Sequence, residues 1–368
     1  MRATRADIDL AAIAHNVRVV RETVSPSLVC AVVKADGYGH GAVAVSEAML
    51  RAGADWLAVA LVEEGVVLRR SEVEAPILLL SQPRLDDIAA AVRFDLRVCV
   101  YTPEAVEAVA DAAKRERLLA RVHLKVDTGM NRVGARPEDV VALAEQIAGH
   151  GSIELEGVFT HCAVGDEPDN PFTGTQIERF DAVVDQLDDA GLRPTLLHAA
   201  NSATAIDHPG ARYDLVRAGI ALYGIAPAPS MRDRLALRPA MTLRSEVSMV
   251  KRVPAGAGIS YGLRHVFDRD TTVATVPVGY ADGVARRLGA SGGQVLVQGR
   301  RRPIVGSITM DQLMVDCGDD EVWEGDEVVL IGEQGSERIT AEEWAERLGT
   351  IAYEVVCGIG PRVPRRYR

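Results

Sequence analysis

Three adjacent segments decide the fold: ARVHLKVD (120–127), EDVVALAEQIAGH (138–150) and ELEGVFTH (154–161). The first and third are short, mostly apolar runs, and the middle one spaces its apolar residues with a helical period. Strand, helix, strand is the pattern of a crossover between two parallel strands.

The same alternation extends outward from this unit in both directions. LVCAVVK ending at Lys34, WLAVA (56–60), PILLL (76–80) and RVCVY (97–101) precede it, and TLLHAAN ending at Asn201 and DLVRAG ending at Gly219 follow it. Another helical segment, TQIERFDAVVDQLDDAG (175–191), lies between two of them. Runs with so little polar alternation, joined by helices, imply a parallel sheet buried on both faces. Eight such units predict a TIM-type (β/α)8 barrel. A doubly wound sheet is the alternative, but it would carry a glycine fingerprint after its first strand, and none follows Lys34.

The texture changes after Arg238. MTLRSEVSMVKRV, TTVATVPVGYA, QVLVQGRRRPIVG, QLMVD and EVVLIGE read as strands separated by Gly, Pro or acidic turns. One helix is expected among them, ITAEEWAERLG, with Thr340 and Glu343 as a capping box. The chain therefore divides into an α/β barrel domain at 1–236 and a mostly β domain at 237–368.

Composition narrows the function. The chain has 368 residues, 48% of them apolar, which suits two domains with full cores. The net charge is −11 and no basic stripe runs through the sequence, which argues against nucleic-acid binding. Five scattered cysteines without CxxC spacing fit a reduced, cytoplasmic protein better than a disulfide framework or a metal site. MRATRADIDL has no apolar signal core, and the longest uncharged stretch, Arg217 to Arg232, is interrupted by Pro227 and Pro229, so no membrane span is expected. Only four of the 41 basic residues are lysine: Lys34, Lys114, Lys125 and Lys251. Against that bias toward arginine, a retained lysine is a candidate for a position that needs an amine, although Lys114 and Lys251 match no motif and read as ordinary surface charges.

Active sites of such barrels gather at the C-terminal ends of the strands. Those ends carry Lys34, Lys125 with Asp127 and nearby Arg132, His161, Asn201 with Ser202, and Arg217 with Gly219. VVKADGYGHG (32–41) is the strongest local signal, an apolar strand ending in lysine before a Gly-rich turn. Such a lysine either snorkels to solvent or serves as a Schiff-base amine, for which its ordinary pKa of ~10.4 must fall.

VVKADGYGHG resembles the pyridoxal-phosphate attachment motif of the alanine racemase family, and the similarity continues through both domains. KVDTGMNRVG (125–134), FTHCAVGDE (159–167), HAANSA (198–203), RAGIALYG (217–224), GISYG (258–262), VGYADG (278–283), GSITMDQLMVD (306–316) and YEVVCGIGPRVPR (353–365) are all similar to that family, in its order.

The resemblance implies a homodimer that interconverts L- and D-alanine with pyridoxal 5'-phosphate. Lys34 would carry the cofactor and exchange the Cα proton on one face, and Tyr261, from the partner subunit, on the other. His161 and Arg217 would form the hydrogen-bonded network that supports Tyr261. Arg217 would face the pyridine nitrogen, where a guanidinium cannot accept a proton and so limits side reactions such as transamination. Tyr38, Asn201, Ser202, Gly219, Ile220 and Tyr353 would hold the phosphate end. Arg132, with the backbone at Met310 of the partner, would orient the substrate carboxylate, and Lys125 matches a position that is carbamylated in the family. Tyr280, Arg286 and Asp311 match the corridor that admits small amino acids. Ala285, where the family often has Pro, and His265, where it often has an aromatic, depart from the pattern near that corridor.

Competing readings explain less. A basic-amino-acid decarboxylase of the same architecture would call for an acid where Arg217 stands. A non-catalytic barrel that only binds the cofactor leaves the second domain and Tyr261 without a role. An aldolase using Lys125 alone leaves VVKADGYGHG unexplained, and a broader-specificity racemase is a variant of the first reading.

Overall fold

Eight parallel strands follow one another around the first unit in sequence order: Leu28–Val32, Trp56–Val59, Ile77–Leu79, Leu96–Val100, Ala120–Lys125, Ile153–Phe159, Leu196–His198 and Leu215–Ala218. The last strand pairs in parallel with the first, Leu28 opposite Leu215. The seam between the seventh and eighth is bridged by Asp214 N–H to Leu197 O and Arg217 N–H to Ala200 O, both 3.0 Å. The result is a nearly closed barrel, as the sequence predicts. The computed structural model describes residues 3–368.

These strands are buried on both faces, with Leu57, Ile77, Leu78, Val98 and Leu124 fully inaccessible. Each such side chain contributes roughly 2 kcal/mol through its removal from water. The connecting helices show the expected one-sided burial. Pro103–Glu116 begins with proline in its first turn, is capped by the Thr102 hydroxyl accepting from Ala105 N–H, and buries Val106, Val109, Ala110 and Ala113.

The barrel unit comprises Ala11–Gly37 and Ala42–Pro239, and the second unit takes Met1–Leu10, Tyr38–Gly41 and Ala240–Arg368. The second unit is built on a ten-stranded sheet in which the N-terminal strand Arg5–Ile8 lies between Met241–Glu246 and the C-terminal strand Arg365–Tyr367. MTLRSEVSMVKRV breaks into two strands, Met241–Glu246 and Met249–Val253, which pair with different neighbours. Gln294–Val297 and Arg300–Val305 form a hairpin closed by Gln298 and Gly299, both left-handed, as a two-residue turn requires.

Two helices occur here where the sequence suggests one. The second, Ala352–Cys357, is six residues long and contains two valines, too short and too β-branched to show a helical period. In Ala341–Leu348 half of the expected capping box forms. Thr340 Oγ1 accepts from Glu343 N–H at 3.1 Å, but the Glu343 carboxylate is taken by Arg301 and Arg347. No helix among the described residues is long and apolar enough to cross a membrane.

Candidate active site

The chain leaves the first barrel strand through a left-handed turn. Lys34 follows Val33 directly, and Ala35, Asp36, Gly37 and Tyr38 all have φ between 52° and 61°. Each non-glycine residue so held costs roughly 1 kcal/mol, so the turn must be tied down from outside. Glu64 accepts from Ala35 N–H at 2.6 Å, Asp36 Oδ1 accepts from Ala42 N–H at 2.8 Å, and Gly37 N–H donates to Val33 O at 2.8 Å. Lys34 is thereby presented, half-buried, at the C-terminal mouth of the barrel.

Arg217, in the eighth strand, is 3% exposed and makes the densest set of polar contacts in the barrel. Its Nη1 donates to His198 Nδ1 at 2.9 Å and to His198 O at 3.1 Å. Its Nη2 donates to Thr160 O at 2.8 Å, Ala199 O at 3.0 Å and His161 Nδ1 at 3.1 Å. Burial pulls the guanidinium down to about 10, which leaves it a cation at neutral pH. Because Arg217 donates to Nδ1 of His161, the imidazole carries its hydrogen on Nε2. Burial, reinforced by the charges of Arg217, Lys125, Arg132 and Lys34, holds His161 well below the usual range and neutral.

The same charges converge on Lys125, at the end of the fifth strand. Burial is the main cause that lowers its amine to about 8, with Arg217, Arg132 and Lys34 adding to the shift. Its Nζ donates to Leu80 O at 3.0 Å and sits 5.3 Å from the centre of the Phe159 ring. It does not pair with Asp127, whose Oδ1 accepts from Gly129 and Asn131 N–H at 3.0 Å and shapes the loop carrying exposed Arg132.

Neutral donors complete the mouth. Asn201 caps the helix Ser202–Asp207 by accepting from Thr204 N–H at 3.0 Å. Ser202 Oγ accepts from Gly219 N–H at 2.7 Å, so its own hydroxyl hydrogen remains to donate elsewhere. Ile220 opens a short 3-10 turn, where the first amide has no acceptor within the helix. Lys34, Lys125, Arg132, His161, Ser202, Arg217, Gly219 and Ile220 thus all lie at or just beyond the C-terminal ends of the barrel strands. Four cations with neutral hydroxyl and amide donors suit a ligand bearing a phosphate and a carboxylate.

The remaining candidates belong to the second unit. Tyr38 and Tyr353 face each other with ring centres 6.1 Å apart. The Tyr38–Gly41 segment docks on the Ala352–Cys357 helix so closely that a Cβ on Gly39 would fall 2.4 Å from Val356 O. Tyr261 is 73% exposed. It follows Ser260, whose φ of 63° and ψ of −173° belong to a region almost confined to glycine. Ser260 Oγ donates to Ser307 O at 2.7 Å and Ser307 Oγ to Tyr261 O at 3.2 Å, which fixes that loop. Tyr280 and Met310 lie close together, since Tyr280 N–H donates to Thr309 O and Ala281 N–H to Met310 O. Asp311 pairs with Arg362 at 2.7 Å, and Arg286 is exposed.

Three interior residues escaped the sequence reading. His123 and His198 are fully buried, and Glu156 joins them inside the barrel. Polar residues in otherwise apolar strands were the available signal, but nothing in the sequence pairs residues so far apart.

Comparison with known proteins bears on the chain as a whole. The alanine racemase N-terminal domain matches residues 8–227 and the alanine racemase C-terminal domain residues 240–367. An alanine racemase of Symbiobacterium thermophilum is 50% identical over 368 residues, covering 100% of this chain and 97% of that protein. One from Thermobifida fusca is 46% identical, covering 98% of this chain and 97% of that protein. The crystal structure of alanine racemase from D-cycloserine-producing Streptomyces lavendulae superposes with a TM-score of 0.95 at 41% identity, covering 100% of this chain and 97% of that one.

Proposed function

The chain belongs to the alanine racemase family and interconverts L- and D-alanine, and from that premise we propose that it does so on pyridoxal 5'-phosphate, as a dimer with two bases. The observation that carries this reading is the convergence of Lys34, Lys125, Arg132 and Arg217 at one barrel mouth, with neutral donors beside them. That donor set fits the cofactor: an amine for its aldehyde, hydroxyl and amide hydrogens for its phosphate, and a guanidinium for its ring nitrogen. When bound, pyridoxal phosphate supplies electron withdrawal from Cα of the attached amino acid, which makes the Cα proton acidic.

The residues of this chain do the rest. Ser202 and the Ile220 amide, with Gly219, Asn201, Tyr38 and Tyr353, anchor the phosphate end. Arg132, assisted by the Met310 backbone of the partner subunit, holds the substrate carboxylate and so orients Cα. Lys34 Nζ moves the proton on one face, and Tyr261 Oη of the partner subunit moves it on the other. Nε2–H of His161 is the donor available to support that phenol, because Nδ1 is occupied by Arg217. Arg217 keeps its proton and accepts none, which limits charge transfer into the ring and favours return of a proton to Cα.

A neutral Lys125 amine is the form that combines with carbon dioxide, so its lowered pKa supports carbamylation, and the resulting anion would pair with Arg132. Tyr280, Arg286 and Asp311 narrow the substrate corridor. Acting in the cytoplasm, the enzyme would supply D-alanine for peptidoglycan.

Spectroscopy tests the reading. Purified protein should show visible absorbance from lysine-bound cofactor and racemise alanine, and Lys34→Ala should lose both. Colourless protein that cannot be reconstituted with pyridoxal phosphate would rule it out.

A further inference from the structure

A line of hydrogen bonds runs from Arg217 down through the interior of the barrel. His198 Nδ1 lies 2.9 Å from Arg217 Nη1, His198 Nε2 lies 2.8 Å from His123 Nδ1, and His123 Nε2 lies 3.2 Å from Glu156 Oε2. Glu156 lies toward the N-terminal ends of the strands, where Arg97 at 3.3 Å and Arg121 at 3.8 Å pair with it.

The two ends dictate the direction of every hydrogen bond. A guanidinium only donates and a carboxylate only accepts. His198 must therefore accept on Nδ1 and donate from Nε2, and His123 must do the same. Both imidazoles are fixed as the Nε2–H tautomer. Burial keeps His198 well below the usual range and lowers His123, so both are neutral. Burial works to raise Glu156, but the His123 hydrogen bond and the charges of Arg97 and Arg121 hold it low, as an anion.

The fold makes room for this line at some cost. The pairing register between the fifth and sixth strands shifts at Val122/His123, leaving Glu156 as an extra residue between the Leu155 and Gly157 pairings. A Cβ on Gly157 would fall 2.4 Å from His123 Nδ1. Trp56 packs edge-on against His123 at 5.5 Å, and Phe159 stacks on His198 at 4.7 Å with 5° between the planes. Bulge, glycine and rings together hold two imidazoles in line.

We propose that Glu156 is a positioning residue for Arg217, acting through the fixed tautomers of His123 and His198. That Arg217 serves the reaction rests on the function proposed above; the hydrogen-bond direction rests on geometry alone. Without Glu156 the buried Nε2–H of His123 has no acceptor. If His123 moves its hydrogen to Nδ1, it meets the Nε2–H of His198. His198 must then shift its own hydrogen to Nδ1, against the Arg217 donor. The loss is passed along to the guanidinium.

The test uses full-length protein as purified, with 15N-labelled histidine. Both His123 and His198 should give the nitrogen shifts of a neutral Nε2–H tautomer. Glu156→Gln, whose amide oxygen still accepts, should keep that pattern. Glu156→Ala should change the signals of both histidines, and lower kcat/KM by roughly 10- to 100-fold, mainly through kcat. An Nδ1–H or charged form at either histidine of the unmodified protein would overturn the proposal, as would an unchanged His198 signal in Glu156→Ala. If Glu156→Ala does not fold, the unmodified and Glu156→Gln spectra still decide. The tautomers are read whether or not alanine is racemised, so a failure here is distinct from a failure of the proposed reaction.

Discussion

Nη2 of Arg217 lies 3.1 Å from Nδ1 of His161, so the buried guanidinium is held against the nitrogen of a neutral imidazole. The contact orients His161 and leaves Arg217 a proton donor with no capacity to accept. Three backbone carbonyls, of Thr160, His198 and Ala199, and Nδ1 of His198 complete its surroundings. Chemistry beside this group should favour proton exchange at Cα over proton transfer elsewhere.

Arg217→Glu reverses that bias. A carboxylate can share a proton with a ring nitrogen, which lets charge move into the ring. We expect racemisation to fall on the order of 100-fold, comparable to losing one buried charge-stabilising donor, while pyruvate formed per racemisation event rises. Pyruvate release from alanine, normalised to bound cofactor, measures this. An unchanged ratio would remove Arg217 from control of reaction outcome.

Lys125 should take up carbon dioxide. With its pKa lowered from the ordinary value to about 8, roughly 300 times more of it is neutral at pH 7 than for an unperturbed lysine. Protein kept in 13C-bicarbonate should show one carbamate carbon resonance per chain, absent in Lys125→Ala. The neutral amine is lost as pH falls through 8, so the resonance should weaken between pH 8 and 6. A spectrum without it would leave Lys125 as a buried amine on the Leu80 carbonyl.

Much of the barrel can be read from the sequence, because parallel strands covered on both faces announce themselves as short apolar runs. All eight runs become strands, yet several end sooner than their sequence suggests. The run to Asp127 stops as a strand at Lys125, the run to His161 at Phe159 and the run to Asn201 at His198. Asn201 is instead a helix cap and Asp127 a loop anchor, roles that side-chain hydrogen bonds decide and apolar spacing does not reveal. Glu156 was hidden for a further reason: an inserted residue at a bulge breaks the alternation that tells inside from outside. The helix Ala352–Cys357 escaped because one and a half turns are too short for a period.

The half-formed cap at Thr340 gives a stability check. Thr340→Ala should lower unfolding free energy by about 1 kcal/mol through loss of the bond from Glu343 N–H. Glu343→Gln should cost more than an exposed pair would, since its carboxylate joins Arg301 and Arg347 at once. Denaturant midpoints at constant slope would measure both, and equal, negligible effects would argue against the cap.

Tyr261→Phe removes one oxygen from a side chain that is 73% exposed in the single chain, so stability should not change. Racemisation should fall by roughly 1000-fold. In deuterated water, one enantiomer of alanine should still exchange its Cα proton through Lys34 while the other does not. Equal loss of exchange from both enantiomers would contradict a two-base arrangement.

Mixed dimers test the central claim, that each site joins Lys34 of one chain to Tyr261 of its partner. Lys34→Ala and Tyr261→Phe homodimers should each be nearly inactive. After unfolding and refolding together in equal amounts, half the dimers should be mixed, with one site holding both residues. Recovery of about a quarter of the unmodified activity is the expected result for random isologous pairing. If the mixture stays as inactive as its parents, although mixed dimers are shown to form, Lys34 and Tyr261 do not act across the subunit interface.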